Sequence, residues 1–257
     1  IQPTICNPSK CFEVNVLGTQ RVLEWSRLSR IKKLVYSGTS SLYGHQNPIP
    51  FQPNMPTDCL NPYSMSKWMG EQVCKLYSQL YDLSTIVLRY FNVYGPRESH
   101  KGQMASMAWH FYQQFVENKK MRLFRGTDGY GDGEQLRDFV SVDDVVKVNL
   151  FFSDHTSMSG IYNVGTGHSR SFNDLALAVI NGLAQLNGES VTELQQALSQ
   201  GWLEYFSMPE TLKSRYQSFT QADISRLRKQ GYATAFLTLE EGVTKYVTKL
   251  HHQTVSP

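Results

Sequence analysis

Tyr63 and Lys67 form a tyrosine–lysine pair whose chemistry suits proton exchange with a substrate hydroxyl. The sequence predicts a helix over residues 62–81, and a spacing of four places both side chains on one face of it. A phenol ordinarily titrates near ~10, and a neighbouring ammonium stabilises the phenolate, so we expect Lys67 to lower the pKa of Tyr63. Because this spacing also arises readily by chance, the surrounding elements must support the interpretation.

Polar side chains follow two predicted strands, at the points where the strands end. Residues 33–37 predict a buried strand, and the hydroxyls of Thr39 or Ser40 come shortly after it. Residues 84–90 predict another strand, and Asn92 follows it. Ligands of open α/β sheets bind at the carboxyl ends of the strands, so we expect these side chains to lie at one ligand site.

Helical and strand patterns alternate along the first half of the chain, which predicts an α/β fold with a doubly wound parallel sheet. Further helices are expected over residues 12–28, 104–116, 142–152, 172–186 and 239–250, and further strands over residues 137–140, 160–164 and 201–206. The glycine-rich stretch 126–133 predicts a loop, and the polar stretch 187–200 predicts an inserted segment of helical propensity.

Composition narrows the class of protein. With 257 residues and 40% hydrophobic content, the chain can bury a large core, as one domain or as a domain with a lobe. The net charge of +3 and the dispersed basic residues argue against nucleic-acid binding. Neither a membrane span nor a signal peptide is predicted, which favours the cytoplasm. The cysteines predict reduced thiols rather than disulfides or zinc ligands, and no metal site is expected; they are Cys6, Cys11, Cys59 and Cys74.

The run Arg89-Tyr-Phe-Asn-Val-Tyr-Gly-Pro-Arg97 completes a characteristic order of strand-end hydroxyl, Tyr/Lys helix and strand end. This order is similar to that of the extended short-chain dehydrogenase/reductase enzymes that act on nucleotide sugars. The run continues as Pro96-Arg-Glu-Ser-His-Lys-Gly-Gln-Met-Ala-Ser106, which resembles the signature of their ADP-L-glycero-D-manno-heptose 6-epimerase branch. The resemblance implies a Rossmann-like doubly wound parallel sheet with a smaller C-terminal α/β lobe that binds the substrate.

The resemblance also implies roles for individual residues. Thr39 would hydrogen-bond the reacting oxygen, and Tyr63 would exchange protons with it. Lys67 would hold the nicotinamide ribose, and Lys101 would be a second acid/base on the opposite face of the substrate. The cofactor would be NADP, or NAD, contacted by Asn15, Tyr63, Lys67, Val93 and Lys101. The residues implied in substrate binding are Thr39, Asn92, Gln103, His110, Phe124, Arg125, Gly126, Thr127, Arg137 and Tyr216. The guanidinium of Arg137 suits a diphosphate, since it can form forked hydrogen bonds.

The implied activity is inversion of C6 of ADP-D-glycero-D-manno-heptose through transient hydride transfer to bound NADP, which supplies the inner core of lipopolysaccharide. The implied partners are this nucleotide-diphosphate sugar and further copies of the chain in a cytoplasmic homo-oligomer. One alternative is another nucleotide-sugar epimerase or dehydratase, such as a UDP-hexose 4-epimerase, which shares Thr39, Tyr63 and Lys67 but does not need Lys101. Another alternative is a catalytically inactive chain that serves as a binding subunit.

A dinucleotide-binding fold begins with a strand and a glycine-rich turn, and neither opens this sequence. The resemblance implies that roughly 75 residues, about two βαβ units, precede residue 1 in the family. Residues 1–95 would then be the C-terminal part of the dinucleotide-binding domain. Residues 96–257 would be mainly the substrate lobe, with about 138–155 returning to the sheet. We expect the chain alone to bind NADP poorly and to be inactive.

Three features depart from the family pattern. Gln103 stands where the family often has a small serine, and the loop 129–135 is longer than usual. The stretch 187–200 would be an insertion. The identity of the sugar is therefore less firmly indicated than the type of reaction.

Overall fold

The computed structural model describes residues 2–45, 49–155, 157–213 and 216–255. Its helices are α1 (Gln2–Cys6), α2 (Pro8–Phe12), α3 (Gly18–Leu28), α4 (Pro62–Leu80), α5 (Met107–Asn118), α6 (Val142–Asp154), α7 (Phe172–Asn187), α8 (Leu194–Ser199), α9 (Glu210–Lys213), α10 (Ser225–Lys229) and α11 (Leu239–Val255). Its strands are β1 (Lys33–Thr39), β2 (Ser84–Tyr90), β3 (Asn92–Tyr94), β4 (Met121–Phe124), β5 (Leu136–Arg137), β6 (Phe139–Ser141), β7 (Gly160–Val164), β8 (Arg170–Ser171) and β9 (Leu203–Phe206). A π-helix covers Glu13–Leu17, and 3-10 helices cover Ser40–Tyr43 and Ser99–Met104.

The chain divides into two compact units. The first consists of Ile1–Phe91, Val146–Gly165 and Ala222–Ala233, and the second of Asn92–Val145, Thr166–Gln221 and Thr234–Pro257. Each unit therefore combines segments that are far apart in the sequence. The assignment of residues 1–95 to the dinucleotide and of residues 96–257 mainly to the substrate stays a prediction.

A parallel sheet organises the first unit, with β2 between β1 and β7. Thr39 at the end of β1 is level with Tyr90 at the end of β2, and Tyr90 is level with Val164 at the end of β7. The centre of β2 is fully buried, as its uninterrupted apolar run predicts for a strand covered on both faces. The predicted α/β fold with a parallel sheet is thus confirmed.

Local sequence explains where the helices of the first unit begin. Asn61 and Ser64 form a reciprocal capping box, and Pro62 occupies the first turn of α4, where a missing N–H costs nothing. The helix predicted over residues 12–28 is interrupted by the π-helix Glu13–Leu17, which precedes α3. The hydroxyl of Thr19 donates to the carbonyl of Asn15 at 2.7 Å in this region.

The second unit contains three strand pairs and a helical core. Strands β3 and β6 are parallel, β4 and β9 are parallel, and β5 and β8 are antiparallel. The single strand predicted over residues 137–140 is wrong in one respect, because Asp138 separates β5 from β6. The carboxylate of Asp138 accepts hydrogen bonds from the backbone N–H groups of Thr166 and Gly167 at 2.7 and 2.9 Å. Helix α5 starts at Met107 rather than at residue 104, because Ser106 caps it.

The four cysteines form no disulfide in the structure. Cys6, Cys11, Cys59 and Cys74 are free thiols. In the described part of the chain, no group of three or more His, Cys, Asp or Glu side chains is placed to hold a metal ion. No helix within the described ranges is long and apolar enough to cross a membrane.

A buried ion pair joins α4 to β2 inside the first unit. The guanidinium of Arg89 donates to both carboxylate oxygens of Glu71, at 2.8 and 3.0 Å at the closest, and both side chains are at most 3% exposed. Arg89 also donates to the hydroxyl of Tyr43 at 2.9 Å and to the carbonyl of Pro53 at 3.1 Å. Tyr43 donates in turn to the side-chain oxygen of Asn163 at 2.7 Å. Glycine at position 38 leaves room for this pair, since a Cβ there would lie 3.2 Å from Glu71 Oε1.

We predict that Glu71→Gln destabilises the protein by about 3–5 kcal/mol, because it leaves the buried guanidinium without its counter-charge. The change would be measured as the urea midpoint of unfolding. Glu24→Gln provides the matched control, since Glu24 pairs with Arg27 at the surface, and we expect it to move the midpoint little. Equal midpoints for the two variants would contradict the importance of the buried pair.

Candidate active site

Thr39 and Tyr63 lie together at the carboxyl end of β1. The Thr39 side chain accepts a hydrogen bond from the backbone N–H of Ser41 at 3.2 Å and donates to the Ser41 hydroxyl at 3.1 Å. The side chain of Thr39 also lies close enough to the Tyr63 hydroxyl to affect its pKa. The capping box at the start of α4 fixes the turn that carries Tyr63. The structure therefore brings these two predicted residues together.

Burial raises the pKa of Tyr63, and only part of this effect is offset by the side chain of Thr39. The nearby thiol of Cys11 raises this pKa further. The expectation that Lys67 lowers the pKa of Tyr63 is therefore wrong for the chain by itself. The physical reason is that desolvation of the phenolate outweighs the local stabilisation.

The ammonium of Lys67 lies over the ring of Tyr36, with its Nζ 4.3 Å from the ring centroid. Burial lowers the pKa of Lys67, and the neighbouring Cys74, Glu71 and Cys11 oppose that shift. The Tyr36 hydroxyl donates to the backbone carbonyl of Lys67 at 3.2 Å. Tyr36 was not singled out from the sequence, because an aromatic residue inside a buried strand looks like ordinary core packing.

Close packing of α4 on β1 depends on glycine at position 70. A Cβ at Gly70 would lie 2.2 Å from the Tyr36 hydroxyl oxygen, so any other residue would displace that ring. The ring beneath Lys67 is thus held by the helix that carries Lys67.

The side chain of Asn15 is hydrogen-bonded to residues that hold the first turns of α4. Its side-chain nitrogen donates to the Ser66 hydroxyl at 2.9 Å and to the Cys11 sulfur at 3.5 Å. Ser66 donates in turn to the backbone carbonyl of Tyr63 at 2.8 Å. A direct contact between Asn15 and the dinucleotide stays a prediction.

Lys101 lies in the second unit, on the 3-10 helix Ser99–Met104, and its side chain is 49% exposed. Its Nζ is 3.9 Å from a carboxylate oxygen of Glu98, which is only 4% exposed. Gln103 is exposed on the same turn. The sequence did not single out Glu98, although its position three residues before Lys101 is a recognisable signal for a pair within one helical turn.

An aromatic cavity of about 320 Å³ lies in the second unit. Three predicted substrate residues line it, namely His110, Phe124 and Tyr216. The ring of Phe124 is 4.9 Å from that of Phe206 and meets Tyr216 edge-on at 5.9 Å. Further lining residues that the sequence did not indicate are Met107, Phe111, Gln114, Arg122, Leu123, Phe172 and Phe206.

Arg137 is a buried cation beside the walls of this cavity. Its guanidinium carbon lies 4.7 Å from the ring centroid of Tyr216 and 5.6 Å from that of Phe172, and both rings line the cavity. Its hydrogen bond goes to the carbonyl of Leu136 at 2.8 Å. Within the described residues no carboxylate pairs with Arg137, and burial lowers its pKa. A buried guanidinium in this state is suited to an anionic ligand.

The segment after β4 combines exposed backbone with one unsatisfied hydroxyl. Arg125 and Gly126 are exposed, and the N–H of Gly126 donates to Asp132 at 2.8 Å. Thr127 has a buried hydroxyl oxygen without a hydrogen-bond partner among the described residues. A bound ligand could satisfy that hydroxyl, which agrees in kind with the predicted role of Thr127.

Asn92 and Val93 open strand β3 and are half-buried. The side-chain oxygen of Asn92 accepts a hydrogen bond from the Thr220 hydroxyl at 3.4 Å. The roles of Asn92 in substrate binding and of Val93 in cofactor binding stay predictions.

The chain is similar to several characterised proteins. It is 43% identical over 222 residues to the ADP-L-glycero-D-manno-heptose-6-epimerase of Thiobacillus denitrificans, and the match covers 85% of this chain and 65% of that protein. The chain thus spans about 65% of the length of this curated relative.

Solved structures show the same similarity. The ADP-L-glycero-D-manno-heptose-6-epimerase of Helicobacter pylori has 28% identity and a TM-score of 0.75, covering 95% of this chain and 68% of that one. The UDP-glucose 4-epimerase of Thermotoga maritima, solved with UDP-glucose, has 25% identity and a TM-score of 0.77. The match covers 98% of this chain and 74% of that one.

A family model described as "NAD dependent epimerase/dehydratase family" matches residues 1–165, a range that includes Thr39, Tyr63, Lys67 and Lys101. Since that match extends over more than half of the chain, and the parallel sheet agrees with the related structures, the chain belongs to the NAD dependent epimerase/dehydratase family.

Proposed function

We propose that this chain belongs to an enzyme that inverts C6 of ADP-D-glycero-D-manno-heptose to give the L-glycero sugar, a precursor of the lipopolysaccharide inner core. The observation that carries the proposal is Lys101, a half-exposed amine on a turn fixed by buried Glu98, in a chain that also carries Tyr63 beside Thr39. An inversion gains from two acid/base groups, whereas a plain dehydrogenation needs one. The identity to the Thiobacillus enzyme supports the choice of sugar.

The donors at the end of β1 fit a nicotinamide dinucleotide. Tyr63 offers a phenol, Lys67 offers an ammonium and Thr39 offers a hydroxyl, which are groups that bind ribose and alcohol oxygens. In the proposed enzyme Lys67 and Tyr63 would hold the nicotinamide ribose, and NADP is the proposed form. When bound, the dinucleotide supplies the acceptor and donor of hydride.

The proton chemistry belongs to the side chains. Inversion at C6 breaks the C–H bond with its electron pair and reforms it on the other face, while a proton leaves the C6 oxygen and later returns. Thr39 would hold that oxygen by a hydrogen bond. We assign one of the two proton exchanges to Tyr63 and the other to Lys101, as the family resemblance implies.

Arg137 and the aromatic cavity would bind the ADP portion. The guanidinium of Arg137 would pair with the diphosphate. Among the described residues no carboxylate supplies a negative charge to this buried guanidinium. Phe124 and Tyr216 present ring faces and edges suited to a planar base. Thr127 would satisfy its buried hydroxyl on the ligand.

We also propose that the enzyme is cytoplasmic, since its nucleotide sugar and dinucleotide are cytoplasmic metabolites. We further propose that it is a homo-oligomer. Apolar side chains form exposed stripes at helical spacing on two adjacent helices of the first unit, which would suit contact with a second copy. The stripe on the π-helix and α3 consists of Val14, Leu17, Trp25 and Leu28, and the stripe on α4 consists of Met65, Met69, Leu76 and Leu80. A two-fold axis would bury both stripes against themselves.

We predict that Arg137→Met weakens binding of ADP-heptose at least about tenfold, because charge-assisted hydrogen bonds to the diphosphate are lost. Methionine can occupy the space between the rings of Tyr216 and Phe172, so the fold should persist, as circular dichroism would verify. Isothermal titration calorimetry would measure affinity, with Arg27→Met as the control at a partly exposed site of the first unit. Unchanged affinity in Arg137→Met would exclude Arg137 as the diphosphate ligand.

We predict that Lys101→Met in the full-length enzyme lowers the rate of C6 epimerisation at least about 100-fold, because one acid/base group is lost. The rate would be followed by NMR as ADP-D-glycero-D-manno-heptose becomes its L-glycero epimer. The control is Lys119→Met, which removes an exposed lysine at the end of α5. Turnover near normal in Lys101→Met, together with turnover of UDP-glucose, would favour a UDP-hexose 4-epimerase instead.

We predict that Trp25→Glu shifts the protein toward the monomer, because it places a charge in the centre of the exposed stripe on α3. Light scattering after size-exclusion chromatography would measure the mass. Val191→Glu is the matched control, since Val191 is an apolar residue of the second unit that is 75% exposed, against 63% for Trp25. An unmodified protein that is already monomeric would contradict the proposed oligomer.

A further inference from the structure

Glu98 is a buried carboxylate that none of the proposed steps uses. Its carboxylate accepts hydrogen bonds from the backbone N–H and the hydroxyl of Ser106 at 2.8 and 2.6 Å, and from the Tyr246 hydroxyl at 2.9 Å. The N–H of Gly95 is a further donor at 3.5 Å. Such a set of donors satisfies the hydrogen-bonding capacity of a carboxylate that is away from water.

We infer that Glu98 is the positioning residue for Lys101, because it anchors the turn that carries Lys101 and supplies its counter-charge. The inference deepens the proposed function and rests on it for the role of Lys101. That Glu98 anchors this turn follows from its hydrogen bonds and does not depend on the proposed function. It would hold for any chemistry that Lys101 performs.

The backbone of the turn is tied to the same residue. The N–H of Lys101 donates to the Glu98 carbonyl at 2.9 Å, so side chain and backbone of Glu98 both hold this segment. Gly102 has a φ of +51°, which permits the reversal that returns the chain to Ser106. Ser106 then caps α5 while it also donates to Glu98, so the turn has little freedom to move.

Helix α11 supplies the third anchor. Tyr246 reaches Glu98 across 148 residues of sequence, and its ring packs 6.4 Å from that of Tyr94. Burial and the negative charge of Glu98 both raise the pKa of Tyr246, so its hydroxyl remains a donor at working pH. The titratable groups that face Glu98 are thus Tyr246 from α11 and Lys101 from its own turn.

The charge on Glu98 also bears on Lys101 directly. At 3.9 Å, a carboxylate favours the ammonium over the free amine. Lys101 therefore has a buried counter-charge within its own turn. A substitution that removes only the charge separates this electrostatic effect from anchoring.

The test measures protonation of Lys101 without any requirement for activity. Brief acetylation across about pH 6 to 11, followed by mass spectrometry of peptides, gives the pH at which Lys101 reaches half its maximal reactivity. In Glu98→Gln we expect that midpoint to fall by about half a unit to one unit, while the midpoints of Lys119 and Lys120 stay constant. Glu98→Asp restores the charge and should return the Lys101 midpoint to its original value.

Two further variants complete the test. Glu117→Gln removes an exposed carboxylate of α5 and should leave the Lys101 midpoint unchanged. Tyr246→Phe keeps the charge but removes one anchor, so amide hydrogen exchange in residues 99–104 should rise at least about tenfold. This measurement also serves if Glu98→Gln does not fold.

The outcomes separate the inference from the proposed function. An unchanged Lys101 midpoint in Glu98→Gln, or unchanged exchange in Tyr246→Phe, would overturn the inference whatever the enzyme's activity. Both expected shifts, combined with normal epimerisation in Lys101→Met, would uphold the positioning by Glu98 and reject the proposed function. In an active enzyme, the pH profile of kcat in Glu98→Gln should move in the same direction as the Lys101 midpoint.

Discussion

The buried pair of Arg89 and Glu71 is the interaction on which the first unit depends. It fixes α4 against β2 from within the core, where an unpaired charge of either sign would be very costly. Tyr63 and Lys67 lie on the same helix, so their positions relative to Thr39 follow from where this pair holds α4. A helix held by apolar contacts alone could slide or rotate more easily, because such contacts have no preferred direction.

Buried charged side chains also organise the second unit, but their partners differ from those of the Arg89–Glu71 pair. Glu98 and Asp138 accept hydrogen bonds from backbone and hydroxyl donors, and each fixes a turn. Arg137 differs from both, because within the described residues its contacts are aromatic rings and one carbonyl. A carboxylate with full hydrogen bonding serves structure, whereas a guanidinium without an anion is suited to receive one.

Several features of the site follow from local patterns that the sequence displays directly. The apolar run of β2, the capping box before α4 and the hydroxyl at the end of β1 each act within a few residues, so their structural consequences could be predicted. The predicted bounds of helices and strands were less exact where a side chain hydrogen-bonds to the backbone. Asp138 divides a predicted strand, and Ser106 delays the start of α5, since each hydrogen-bonds to backbone that a regular element would otherwise use.

The sequence by itself determined the α/β class, the parallel sheet and the order of Thr39, Tyr63 and Lys67, because helix and strand periodicity and strand-end chemistry are local. Only the tertiary structure decided the pKa shifts of the site residues and the partners of the buried charges. Burial raises rather than lowers the pKa of Tyr63, and Glu98 meets a tyrosine 148 residues away. Desolvation and long-range hydrogen bonds depend on which distant segments pack together, and no spacing within one segment records that.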